Sequence, residues 1–427
     1  METNKVKVSV ESLVIPTYPE GAVEELPMFA ETRAHQRSSG NPYPNKVIIE
    51  PRGNQKYDKA YTIVKLENEY LEIGIMPEIG GRIFYAMDKK TGYDFFYRQH
   101  VIKPSFIGIF GSWISGGVEF NWPYHHRPST FMPVDYEIVH EEDGSAIVWL
   151  SEHDPVDRMK GMVGICLAPG KAILETRVKL ANRTSLRHSF LWWENAAVPV
   201  NTDYELFFPP DVNHVYFHYR RSLTSFPIAH GKFNGMRFPE GGKDISKHKN
   251  TYHSTSYFSA SSQYDFFGGY DNGKNCGVVH VADHNVATGK KMFTWGYNQL
   301  AKSWGGALTD TDGAYAELMA GSYTNNQPDF SWIEPYETKN FSQFWYPISN
   351  LGAATYANYD CALHVGENCL KVQVTAPVEN AHITLKSEGK VVLDTVANLM
   401  PGGAVSFDTP AFNCNTYEVT IGNVAHY

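Results

Sequence analysis

Charge is the first thing this chain lacks: charged side chains make up 19% of its 427 residues, too few for an architecture of salt-bridged surface helices. Cysteine is scarce as well. The five, Cys166, Cys276, Cys361, Cys369 and Cys414, show no C-x-x-C spacing, which argues against a disulfide scaffold and a zinc site and leaves reduced thiols as the default. The formal net charge is -9, and no dense basic run is present. Lys89-Lys90 and Lys243 to Lys249 are short and diluted, so a nucleic-acid partner is excluded, because phosphate binding draws its affinity from clustered Lys and Arg. No apolar run is long enough to cross a bilayer, and Met1 to Val10 lacks a signal-peptide core; the expectation is a cytoplasmic protein with no membrane partner. H-E-x-x-H, Walker and Rossmann patterns are missing too. No cofactor is expected. Asp310-Thr311-Asp312-Gly313 has the look of a calcium loop, yet Gly321 stands where the twelfth-position Glu belongs, so a Ca²⁺ ion held by scattered carboxylates stays open.

What the chain has is aromatic rings, 26 Tyr, 24 Phe and 9 Trp, a composition that favours strands and sugar-stacking surfaces. Leu174, Thr176, Val178 and Leu180 interleave with Glu175, Arg177 and Lys179, the period of two that sets one face on a core and the other in water. Similar runs recur at 61–66, 70–75, 146–150 and 277–281, separated by turn residues such as Asp271-Asn272-Gly273. No apolar pattern of helical length accompanies them. The fold class is therefore all-β, a sandwich. Residues 1–50, rich in proline, are expected to form an arm packing on the main domain; residues 51–355 form that domain. Between Ser349 and Cys361 the composition turns small and reads as a junction, and 361–427 carries short alternating strands of a small immunoglobulin-like β domain.

Two distant segments carry the chemistry. Gly116-Gly117-Val118-Glu119-Phe120-Asn121-Trp122-Pro123-Tyr124-His125-His126 and Tyr315-Ala316-Glu317-Leu318, closed by Gln327-Pro328-Asp329, each set a carboxylate near glycines that let backbone approach closely. Glu119, between glycines and the rings of Phe120 and Trp122, is expected to meet aromatic walls that favour the protonated form of a general acid; a loop glutamate capping amides is the alternative. His125 and His126 titrate near neutrality and are candidates to protonate a ring or glycosidic oxygen, one of them inside and the other solvated. Arg82, after Gly80-Gly81, forks onto sugar hydroxyls or forms a structural ion pair. Glu194 is a third carboxylate, with a satisfied strand glutamate as its plainer reading. Trp113, Trp122 and Trp304 are candidate stacking platforms, Trp304 foremost because glycines flank it, although most Trp in a sandwich is core.

Glu78-Ile79-Gly80-Gly81-Arg82-Ile83 followed by Asp88 to Tyr97 resembles the start of a galactose-mutarotase-like β-supersandwich. The stretch around Glu317 and Gln327 is similar to the late strand and loop that hold the glutamate base of aldose 1-epimerases. Gly116 to Pro123 and Leu191-Trp192-Trp193-Glu194-Asn195-Ala196-Ala197 resemble a branch of that superfamily whose members often carry tetratricopeptide repeats after the β domain. The epimerases' early Asn-x-x-His-Gly arrangement is replaced here by Asn121 to His126. The resemblance implies Glu317 as a base, since burial in a strand raises a carboxyl toward the range a base needs.

The expected function is a carbohydrate-active enzyme working at the anomeric centre of a mono- or oligosaccharide. The first reading is a glycoside hydrolase that uses Glu317 and Glu119 as a flanking pair; the second is an aldose 1-epimerase, with Glu317 as base and His125 or His126 as acid; a non-catalytic sugar-binding module is the third. Arg82, Asn121, Trp122, His126, Glu194, Trp304 and Gln327 are the expected substrate contacts.

Overall fold

The computed structural model describes residues 5–20, 30–31, 39–40, 54–105, 113–124, 126–127, 130–154, 157–217, 222–327, 329–414 and 416–427. Two large antiparallel sheets carry most of them. The first has twelve strands among the described residues. Its path runs Lys7–Thr17, Tyr57–Glu67, Leu71–Met76, Arg82–Asp88, Val118–Asn121, Trp192–Pro199, Tyr315–Ser322, Gly289–Thr294, Thr255–Ser259, His214–Tyr216 and Leu223–Ser225, and Tyr93–Asp94 pairs beside Arg82–Asp88. The second runs Tyr204–Phe207, Phe266–Asp271, Cys276–Val281, Thr338–Ser349, Leu174–Ala181, Lys160–Leu167, Ala146–His153 and Asp135–His140. The fold is all-β, and the alternating runs of the sequence are its strands.

The sheets pack face to face because each strand sends every second residue inward. Val118, Phe120, Trp192, Ala196 and Leu318 from the first sheet meet Val178, Leu180 and Trp345 from the second in one core, where each fully buried large aliphatic side chain contributes roughly 1.5–3 kcal/mol. The intervening residues, Glu119, Asn121, Trp193, Asn195 and Glu317, must then project from the opposite face of the twelve-stranded sheet. Lys7–Thr17 pairs with Tyr57–Glu67 along its whole length and closes one edge, where Pro16 is tolerated because an edge strand has a side without ladder partners.

One element departs from the sequence reading. Gln299–Leu308 is an α-helix, although no helical apolar period marks it. Asn298 caps it by accepting from the backbone N–H of Ala301, and only Ala301 and Leu308 are buried, so its anchoring stripe is too narrow to show as a period.

Beyond Ser349, the strands Tyr356–Ala357, Cys361–Gly366, Cys369–Val374 and Val405–Asp408 form one four-stranded sheet, and Lys390–Leu399, Val378–Ser387, Tyr417–Ile421 and Ala425–His426 form another. They enclose a separate core around Leu370, Val372, Ile383, Leu385 and Val419. The small residues before Cys361 are packed: Leu351, Ala354 and Ala357 are buried against Phe266, Val279, Tyr346 and Ile348 of the second large sheet.

Candidate active site

Strand order decides which side chains meet. Trp192–Pro199 lies between Val118–Asn121 and Tyr315–Ser322, with Asn195 opposite Glu119 on one side and Ala197 opposite Glu317 on the other. Three adjacent strands therefore present Glu119, Asn195 and Glu317 on one face. Asn195 donates to Glu119 Oε2 at 3.4 Å and stands near enough to Glu317 to favour its charged form slightly, so it lies between the two carboxylates.

Glu119 is 4% exposed and fully engaged. Its Oε2 accepts from His126 Nδ1 at 2.8 Å and Trp113 Nε1 at 3.2 Å, and its Oε1 accepts from Thr130 Oγ1 at 2.5 Å. Burial alone would push this carboxyl up. The charge and hydrogen bond of His126, with Arg82 and Thr130, outweigh burial and hold it far below the usual carboxylate range. The expectation of a protonated general acid at Glu119 is therefore corrected: the rings near it do not desolvate an isolated acid, because polar groups reach both oxygens. His126 shows the complement. Burial opposes its proton, but Glu119 prevails, and the imidazole is raised above its ordinary value.

Glu317 is 6% exposed and behaves oppositely. Burial raises it, and the nearby charges of His126 and Lys291 offset only part of that rise. Lys291, two strands from Asn195 on the same face, is pushed down by its own burial, partly countered by Glu317. Its Nζ donates to Gln327 Oε1 at 2.9 Å.

The other expected contacts divide. Arg82 donates from Nη1 to the carbonyls of Ile114 at 3.2 Å and Gly116 at 2.9 Å, so it braces the glycine turn entering the Glu119 strand. Burial pulls it down to about 10, which leaves it charged at neutral pH. Asn121 stands on the site face with both amide atoms buried and unbonded, as are Asn195 Oδ1, Trp193 Nε1 and Gln327 Nε2. His125 lies outside the described residues. Trp122 points the other way, 1% exposed and packed on Phe190 in the core between the sheets. Glu194 does the same, held in that core by Thr176 Oγ1 at 2.5 Å and Trp345 Nε1 at 2.7 Å. Both are removed from the site face by the period-two alternation that puts Glu119 and Asn195 on it. Trp304 sits on the helix, its ring stacked at 5.0 Å on Trp295, whose Nε1 donates to Tyr315 Oη at 3.1 Å. Trp295 and Tyr315 also line a cavity of about 380 Å³.

Asn195 and Lys291 escaped the sequence reading. Alternation was the available signal for Asn195: with Ala196 and Val198 inward, Glu194 must also be inward and Asn195 outward. Lys290-Lys291 gave none, since adjacent lysines look solvated, whereas both are 2% exposed, on opposite faces of their strand. As for metals, Asp310 is taken by Lys56 and Lys103 at 2.8 and 2.7 Å. Asp265, Asp283 and His284 bring ligand atoms within 4.8 Å of one another at an exposed position, where His284 already bonds Asp265.

The two-layer β fold is similar to that of solved structures. A tetratricopeptide-repeat-domain protein from Parabacteroides distasonis is 23% identical with a TM-score of 0.69, over 83% of this chain and 57% of that one; the chain thus spans little more than half of that protein. Galactose mutarotase-like proteins from Clostridium acetobutylicum and Lactobacillus casei align at 12% and 11% identity, over 68% and 67% of this chain and 96% and 99% of theirs, with TM-scores of 0.46 and 0.45. The chain belongs to the family described as domain of unknown function DUF5107, whose model matches residues 39–348.

Proposed function

We propose that this chain is a carbohydrate-active enzyme that moves protons at the anomeric centre of a sugar, opening and reclosing its ring as an aldose 1-epimerase does. The observation that carries this reading is a pair of groups suited to opposite roles beside one sheet face: Glu317, raised by burial, and His126, bonded to Glu119, which favours its protonated form. Glu317 takes the proton of the anomeric hydroxyl. As the C1–O1 double bond forms, the bond from C1 to the ring oxygen breaks, and His126 gives its proton to that oxygen. Rotation about C1–C2 and the reverse transfers close the ring on the other face. Buried amide atoms without partners, at Asn121 and Asn195, are what a polyhydroxylated ligand satisfies, and each costs about 1–3 kcal/mol when left unpaired. Glycoside hydrolysis through a Glu119–Glu317 pair fits less well, because Glu119 is ionised and both its oxygens are occupied.

The test is anomer equilibration followed by polarimetry, run beside an assay for newly released reducing ends. Equilibration should be faster with enzyme, no reducing ends should appear, and Glu317→Gln should lower the rate by on the order of 10²–10⁴ with the fold intact. The rate should rise as pH passes the raised value of Glu317 and fall as it passes the raised value of His126. Wild-type rates in Glu317→Gln, or release of reducing ends without faster equilibration, would sink the reading.

A further inference from the structure

The charges buried on the site face do not balance. Buried Arg82 and Lys291, with the partly buried His126, supply three cationic groups, while Glu119 and Glu317 supply two carboxyl groups. Glu119 is committed to His126 and lies in the field of Arg82. Lys291 forms no ion pair among the described residues: its ammonium touches Gln327 Oε1 at 2.9 Å and Met319 Sδ at 3.1 Å and lies 5.0 and 5.7 Å from the ring centres of Phe258 and Phe293. Burying an ammonium is costly unless an anion and hydrogen bonds compensate it. The field of Glu317 reaches Lys291 without a contact.

Beside it, Gln327 is 1% exposed, its carbonyl is taken by Lys291, and its Nε2 has no hydrogen-bond partner. An ammonium carries three N–H donors, so Lys291 has one to spare beyond Gln327 and Met319. That spare donor and the idle amide N–H of Gln327 belong to two side chains already joined by a hydrogen bond, and a carboxylate has two oxygens to accept from such a pair.

We propose that the site takes a sugar acid, a pyranose bearing one carboxylate, whose oxygens accept from Lys291 Nζ and Gln327 Nε2 while its hydroxyls engage Asn121 and Asn195. The inference rests on the reading above for where the ring lies, but its charge argument is independent of the reaction. One carboxylate cancels an excess of one positive charge. A neutral sugar leaves Lys291 uncompensated, and a phosphate dianion overshoots.

The test is calorimetric titration with D-glucuronate against D-glucose, D-galacturonate against D-galactose, and D-glucose 6-phosphate. At least one uronate should bind ten or more times tighter than its neutral counterpart. That ratio should fall to near one in Lys291→Met, and also in Gln327→Glu, which sets a carboxylate against that of the ligand. If Lys291→Met does not fold, the wild-type ratio and Gln327→Glu decide. Neutral sugars binding as tightly as uronates, a ratio surviving both substitutions, a preference for the 6-phosphate, or no binding by any of these sugars overturns the proposal. Uronate selectivity without faster anomer equilibration removes the epimerase reading and leaves this one standing; faster equilibration of neutral aldoses without uronate selectivity does the reverse.

Discussion

A buried glutamate on this sheet acquires opposite properties depending on how many donors and cations reach it. Glu119 faces the site among four donors and stays ionised. Glu194, on the neighbouring strand, faces the core and has two donors, Thr176 and Trp345, so burial wins and pushes it up to about 7. A folded-state value raised above the unfolded one means stability that is fully present below about 4.5 and is lost as pH rises through about 7. Across that window the loss is on the order of 3 kcal/mol. Glu194→Gln keeps an acceptor for Trp345 and cannot ionise. It should therefore raise the melting temperature at pH 8 and have much less effect at pH 5, measured by calorimetry; equal effects at both pH values would show that Glu194 is not paying a burial cost as an anion.

At the scale of the strand, the site depends on residues too small to notice. Gly289 and Gly321 lie side by side on adjacent strands, and the indole of Trp193 lies across both: a Cβ on Gly289 would come within 2.5 Å of that ring, and one on Gly321 would collide with it. Gly321→Ala should displace Trp193 from its packing on Phe258 and cost about 1–3 kcal/mol, read as a lower urea midpoint with unchanged slope. No loss would mean the ring moves freely. Much of this level was legible in the chain. The alternation of residues 174–180 and 370–374 marks strands that exist, and Glu119 and Glu317 stand out beside their glycines. Facing was harder to read: Trp192-Trp193 are both apolar, so that dipeptide alone does not say which ring is inward, and the expected contact Glu194 faces the core while its neighbour Asn195 faces the site. Lys291 was hidden because its burial comes from Phe258, Gln327 and Met319, none closer than 28 residues along the chain, and no local pattern reports such neighbours.

Across the whole molecule, the C-terminal sandwich is joined to the large sheets by polar as well as apolar contacts. Gln373 donates from Nε2 to the carbonyl of Pro347 at 2.8 Å and accepts at Oε1 from the Ser349 N–H at 2.9 Å, at the edge of the core shared by Tyr346, Ile348 and Ala362. We propose that this unit is an accessory that steadies the main domain without entering the site. Gln373→Leu should strand a buried N–H and a buried carbonyl and destabilise the protein by about 1–3 kcal/mol, while sugar affinity stays as in the wild type. Lost affinity in a folded Gln373→Leu protein would tie the unit to the site instead. The central position of Trp192–Pro199 has a consequence in time. Its partners come from about 75 residues earlier and about 120 residues later in the chain, so neither flanking strand can find its place by a hairpin. Contacts of such long range form late and slowly. During synthesis, Glu119 can meet Asn195 long before Glu317 has left the ribosome, so the half of the site that holds His126 can assemble first and wait for the second carboxylate.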